Sequence, residues 1–86
     1  MLKIRVNSNL QIEVDYRKCD CNREAAHCHA TWNGYRVAQV WLNSVYIQSG
    51  HSLDRNEVDE VLQVVNNNSY ELYREYEYNR ENGADY

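Results

Sequence analysis

The hydrophobic period of this chain changes once, near Asp54. Before that point apolar side chains recur at every second residue; after it they recur three and four apart. A period of two puts alternate side chains on opposite faces of a strand, and a period near 3.6 stacks them along one helix stripe. A chain that keeps the two regimes apart builds a sheet first and helices second. The expected fold class is therefore α+β, an antiparallel meander of about five strands with two C-terminal helices packed on one face. A single domain over 1–86 is expected, with a sheet portion over 2–47 and a helical portion over 54–81.

The sheet registers follow from the alternation. Leu2, Ile4 and Val6 alternate with Lys3 and Arg5; Leu10, Ile12, Val14 and Tyr16 alternate with Gln11, Glu13 and Asp15. A three-residue loop at Asn7-Ser8-Asn9 pairs Val6 with Leu10 and Ile4 with Ile12 and sets Lys3 opposite Glu13, with Asn9 expected in the left-handed region. Asn33-Gly34 predicts a two-residue hairpin turn, because both central positions need positive φ. A regular ladder from that turn pairs Trp32 with Tyr35, Ala30 with Val37 and His29 with Ala38. One face then carries Cys28, Ala30, Trp32, Tyr35, Val37, Gln39 and Trp41, the other His27, His29, Thr31, Arg36, Ala38, Val40 and Leu42. The first has more bulk and no formal charge, and is the expected core face, with Gln39 as its flaw. Val45-Tyr46-Ile47 predicts a fifth strand, and residues 17–26 carry no period and read as a loop.

Val58, Val61, Leu62, Val65, Ser69, Leu72, Tyr73 and Tyr76 recur at helical spacing. Asn66-Asn67-Asn68 interrupts good helix formers, and Asn68 with Glu71 fits a capping box. The spacing predicts helices over 54–66 and 69–81, Tyr73 and Tyr76 in the core stripe, and a fraying tail.

No apolar run reaches the roughly 18 residues of a membrane span, and the first ten residues lack the apolar segment of a secretory leader. The three cysteines, Cys19, Cys21 and Cys28, are an odd number and suit reduced thiols, so a cytoplasmic location is expected. The net charge of −4 hides an asymmetry: residues 1–53 hold six basic and four acidic side chains, net +2, and residues 54–86 hold three and nine, net −6. Phosphate backbones repel the acidic third, so direct nucleic-acid binding there is not expected.

Three groups could carry chemistry. Cys19, Cys21, His27 and His29 offer sulfur and nitrogen ligands for zinc, with Cys28 pointing to the opposite strand face. The spacing Cys-x-Cys is looser than structural zinc sites use, and the bland alternative is two incidental thiols beside two sheet-surface histidines, with no metal or other cofactor. Cysteine–histidine catalysis is disfavoured, because strand alternation turns Cys28 away from both histidines. His27, His29 and His51 with Arg36 could handle phosphate chemistry as in a small ribonuclease, and the overall acidity argues against an anionic substrate.

The third group is the acidic helical surface: Glu57, Asp59, Glu60, Glu71, Glu75, Glu77 and Glu81, with Tyr70, Tyr78 and Tyr86 off the apolar stripe as contact anchors. Its bland alternative is a solvated helix face. The sharper reading is a surface that imitates a nucleic-acid backbone and occupies the basic groove of a partner protein.

The run His27-Cys28-His29-Ala30 followed by Asn33-Gly34-Tyr35 resembles the bacterial domain-of-unknown-function family four-one-six-zero, over roughly residues 27–80. Members show a His-x-His-Ala strand, a glycine turn, another strand and a helical C-terminal half; prolines usually precede the His-x-His, where this chain has Ala25-Ala26. The resemblance implies a small α+β module of mobile or defence-related genes, linked to toxin–antitoxin-like gene pairs, and transfers no role to His27 or His29. The expected function is a non-catalytic protein-binding module, not an enzyme, that inhibits or neutralises a partner with a basic nucleic-acid-binding surface. It would be a phage-encoded inhibitor of a bacterial defence complex, anti-CRISPR-like, or an antitoxin. The competing class is a metal- or histidine-dependent enzyme or toxin acting on RNA.

Overall fold

The computed structural model describes residues 2–17, 21 and 25–83. Five strands form one antiparallel sheet in chain order: β1 Lys3–Arg5, β2 Leu10–Glu13, β3 His27–Trp32, β4 Tyr35–Trp41 and β5 Tyr46–Ile47. Two helices follow, α1 Arg55–Asn67 and α2 Ser69–Asn82. The architecture is the expected α+β meander with C-terminal helices, and no helix among the described residues is long and apolar enough to cross a membrane.

The first hairpin takes the register that its apolar face demands. Lys3 opposes Glu13, Ile4 opposes Ile12, and Val6 N–H donates to the Leu10 carbonyl at 2.9 Å. Its turn is closed differently from expectation. Asn33 is the one non-glycine residue with positive φ among those described, so Asn9 is not left-handed. Instead Asn7 Oδ1 accepts from the N–H groups of Asn9 and Leu10, both at 2.9 Å, which reverses the chain without a positive φ.

The second hairpin overturns the expected core face. Asn33 at φ 49° and Gly34 at φ 89° make the turn, and Trp32 opposes Tyr35 as expected. The ladder then slips: Thr31 opposes Arg36 but Ala30 opposes Ala38, leaving Val37 as a β-bulge. Beyond the bulge every β4 side chain changes face relative to a regular ladder. Ala38, Val40 and Leu42 join Cys28 and Ala30 in the buried core, whereas Gln39 and Trp41 pair with His29 and His27 on the opposite side. Trp32 and Tyr35, assigned to the core from sequence, are 37% and 76% exposed. One extra residue thus moves Gln39 out of the core and moves three small or aliphatic side chains in.

Asp54 caps α1: its side chain accepts from Glu57 N–H at 2.8 Å, and Glu57 Oε1 accepts from Asp54 N–H at 3.0 Å, a reciprocal capping box. The box expected at Asn68 and Glu71 does not form. Asn68 Nδ2 turns back to the Val64 carbonyl at 2.8 Å, terminating α1 rather than opening α2. Val61, Val65, Leu72 and Tyr76 close over Leu10, Ile12, Val14, Cys28, Ala30, Ala38, Val40 and Leu42 in one core. Tyr73, expected beside Tyr76 in that stripe, is 39% exposed.

Candidate functional site

Opposite the Cys28–Val40 face, β2 and β3 carry polar side chains in register. Glu13 opposes His29, so the chain just past β2 brings Asp15 to the end of β3, where His27 lies. Alternation keeps His27 and His29 on one face and Cys28 on the other. Asp15, His27 and His29 are all buried, at 5%, 3% and 7% exposure. Three ionisable side chains do not share a dry site without mutual satisfaction.

They satisfy one another through a single oxygen. Asp15 Oδ2 lies 3.1 Å from His27 Nε2 and 3.1 Å from His29 Nε2, and Asp15 Oδ1 pairs with the Arg36 guanidinium. Burial opposes ionisation of Asp15; the His27 and His29 hydrogen bonds, with the electrostatic pull of His29 and of the Arg36 guanidinium, outweigh it and hold this carboxyl well below the usual carboxylate range. The two imidazoles meet edge to face, with ring centroids 5.1 Å apart.

His27 is oriented from behind. Its Nδ1 lies 2.8 Å from the Ala25 carbonyl, a group that only accepts, so Nδ1 carries the proton. In the neutral ring the Nε2 lone pair therefore points at the Asp15 carboxylate, another acceptor. Something positive must sit between them, a proton or a metal cation. Metal-bound histidines use this arrangement, the far N–H tied to a carbonyl and the near nitrogen bare. The helices hold the floor of the site: Asn79 Nδ2 donates to the Asp15 carbonyl at 2.9 Å, the Tyr76 ring packs edge-on to His27 at 5.9 Å, and the Tyr76 hydroxyl donates to the Cys21 carbonyl.

The ligand set differs from the one expected for zinc. His27 and His29 come together as anticipated, but Cys21 is drawn to the Asp15 backbone, its Sγ donating to the carbonyl at 3.2 Å. Cys19 lies outside the described residues. Asp15 takes the third place, and its ligand atom and those of the two histidines lie within 4.8 Å of one another. With metal–ligand bonds of about 2.0–2.1 Å, adjacent ligand atoms sit roughly 2.9–3.4 Å apart. The two carboxylate–imidazole separations, 3.1 Å each, fall within that spacing. Sequence reasoning missed Asp15 because residues 17–26 hide the register of β2 on β3. The available signal was that Glu13 and Asp15 alternate on one strand while His27 and His29 alternate on the next.

A cleft of about 280 Å³ opens beside His29, lined also by Arg36, Gln39, Gln48, Ser49 and His51. It lies in the sequence segment whose net charge is positive.

Several of the acidic helical residues are engaged locally. Glu57 is taken by the α1 cap, Glu60 accepts from Asn7 Nδ2 at 3.3 Å, Glu75 from Asn79 Nδ2 at 3.3 Å, and Glu77 pairs with Arg80 at 2.8 Å. Asp59, Glu71, Glu81, Tyr70 and Tyr78 are exposed. Glu71, Glu75 and Tyr78 line a second cleft of about 310 Å³ with Leu2 and Arg74. Tyr86 lies outside the described residues.

Residues 16–77 match the model of a family described as a domain of unknown function, DUF4160. No curated protein and no solved structure matches the chain.

Proposed function

The chain belongs to the DUF4160 family, and from that premise we propose that it is a small metalloprotein whose working centre is a divalent transition-metal ion held by Asp15, His27 and His29. The observation that carries this reading is the pair of imidazole Nε2 atoms, each 3.1 Å from one carboxylate oxygen, with His27 Nδ1 already committed to a backbone carbonyl. Two histidines and one carboxylate leave coordination positions for water or substrate, the pattern of catalytic rather than structural sites. A metal there lowers the pKa of bound water and polarises an ester oxygen. His29 is shared by the metal set and the cleft, so the cleft is the route by which a substrate reaches the centre. The reaction class is metal-assisted hydrolysis.

Elemental analysis of protein purified without chelator, followed by titration of the stripped protein with zinc, manganese and iron(II), tests this. One equivalent of metal in the native protein, lost in His27→Ala and in Asp15→Asn, is the expected result. Binding no tighter than that of His27→Ala for every metal rejects the centre.

A second reading rests on α2, where exposed Tyr70 and Tyr78, at 69% and 62%, stand among the exposed carboxylates Glu71 and Glu81. This surface suits a partner protein with a basic face, as an inhibitor or antitoxin would require. Reversing Glu71 and Glu81 to lysine weakens capture of such a partner; unchanged affinity removes the surface from consideration.

A further inference from the structure

The cleft beside the Asp15 centre is built by the same irregularity that rearranged the core. Loop and strand are stitched at two points, Gln48 N–H to the Gln39 carbonyl at 2.9 Å and Ser52 N–H to the Val37 carbonyl at 3.0 Å. Between them the loop contributes Ser49, Gly50 and His51 against Ala38 alone on β4. The surplus residues bow outward, with Gly50 at φ 85° taking the reversal. The bulge at Val37 sets Arg36 at the other wall.

What lines the space decides what it takes. No carboxylate is among the described residues that line it; the polar ones are Arg36, His29, His51, Gln39, Gln48 and Ser49, all able to donate. Arg36 spends part of its guanidinium on Asp15, yet its side chain is 59% exposed, and a guanidinium has five N–H donors in a planar fork suited to phosphate oxygens. His51 Nδ1 accepts from Leu53 N–H at 3.2 Å, which leaves its Nε2 as the protonated, donating nitrogen of the neutral ring. Two donors of fixed polarity thus border a cleft that shares a wall, His29, with the proposed metal centre; the nearby Asp15 carboxylate is paired with His29 and Arg36 behind that wall. At about 280 Å³ the cleft suits a single phosphoryl group and its immediate substituent, being at the small end of ligand pockets.

We propose that this cleft binds the phosphoryl group of a phosphate ester, with Arg36 and His51 as its donors. The inference deepens the metal-centre reading by naming the substrate class, and rests on that reading only for the step after binding. No acidic residue of the helices is among the described residues that line the cleft.

Amide and imidazole NMR titrations of the full chain with phenyl phosphate, and with acetate as the carboxylate control, test the proposal in chelator-treated and in zinc-treated protein. Phenyl phosphate is expected to shift Ser49, Gly50 and His51 in the chelator-treated protein, and His51→Ala to weaken binding by about tenfold, the value of one charge-assisted hydrogen bond. Arg36→Lys, which retains the charge beside Asp15, is expected to weaken it by a similar factor. Equal binding of acetate, binding seen only after zinc addition, or indifference to both substitutions overturns the proposal. If phenyl phosphate binds through Arg36 and His51 while no metal is taken up, the metal centre fails and the phosphate cleft stands. If zinc binds and phenyl phosphate leaves the cleft residues unshifted, the cleft fails and the metal centre stands.

Discussion

His27 Nε2 faces Asp15 Oδ2 at 3.1 Å while the opposite nitrogen of the same ring is fixed 2.8 Å from the Ala25 carbonyl. Asp15 is therefore the hub on which both imidazoles and Arg36 depend. Asp15→Asn preserves shape and the backbone carbonyl but removes the charge. Breaking a buried ion set by removing one partner costs about 3 kcal/mol. The Arg36 share is small, since its side chain is mostly exposed. Urea denaturation in the presence of chelator should show this loss; a change below about 1 kcal/mol, the level of one ordinary hydrogen bond, would mean the three groups are not mutually dependent.

Gly34 sits at φ 89° with open space where a Cβ would lie. Gly34→Ala therefore meets no clash and pays only for the backbone conformation, about 1–2 kcal/mol. A thermal melt should fall accordingly, with an unchanged circular-dichroism spectrum. A neutral result would show that the turn relaxes to another type without cost.

Deleting Val37 removes the bulge and leaves every other pair in place, since Thr31 already opposes Arg36 and Ala30 already opposes Ala38. The sheet should survive. The Ser52 tether to the Val37 carbonyl is lost, and with it the loop that walls the cleft. The expected outcome is a folded protein whose amide spectrum keeps the β2–β3 signals and which no longer binds phenyl phosphate. Retained phosphate binding would detach the cleft from the bulge.

The bulge also marks where sequence reading stops. The β1–β2 register was legible because the polar and apolar faces of the two strands fit in only one way. The two helices were legible from their stripe and from the asparagine interruption. The core face of the second hairpin was not, because Asn33-Gly34 fixes only the first pair, and a one-residue bulge reverses every later side chain. Gln39, the residue that fitted badly on the assumed core face, was the signal. The site was half legible: His27 and His29 stood out by type and alternation, whereas Asp15 became a partner only through the strand pairing across residues 17–26. The cysteines drew attention by chemistry, yet Cys28 packs in the core and Cys21 bonds to backbone.

Burial pushes the Cys28 thiol up to about 12 from an ordinary value of 9.0. The folded state holds this proton over a range where the unfolded chain releases it. The contribution is complete below pH 9 and is lost as pH rises towards 12. At about pH 10.5 the difference amounts to roughly 2 kcal/mol. Denaturation midpoints measured between pH 8 and that point should fall further for the wild type than for Cys28→Ala, and native Cys28 should resist thiol alkylation at pH 8. Parallel pH profiles for the two proteins would remove Cys28 as the cause.

Tyr76 joins the helical half to the site by two separable contacts. Its hydroxyl donates to the Cys21 carbonyl, and its ring packs edge-on to His27 with centroids 5.9 Å apart. Tyr76→Phe removes only the first, at a cost of about 1 kcal/mol, the net worth of one hydrogen bond. Because the ring remains, His27 keeps its orientation and metal affinity should be unchanged. Tyr76→Ala removes both, opens a cavity beneath His27, and should cost about 3–5 kcal/mol. The imidazole then has room to rotate off the Ala25 carbonyl, and metal affinity should fall with stability. The comparison is read from zinc titrations at a temperature where both variants are folded. Equal zinc affinity in Tyr76→Phe and Tyr76→Ala would show that the ring has no part in holding His27, and that the Ala25 carbonyl and Asp15 orient it alone.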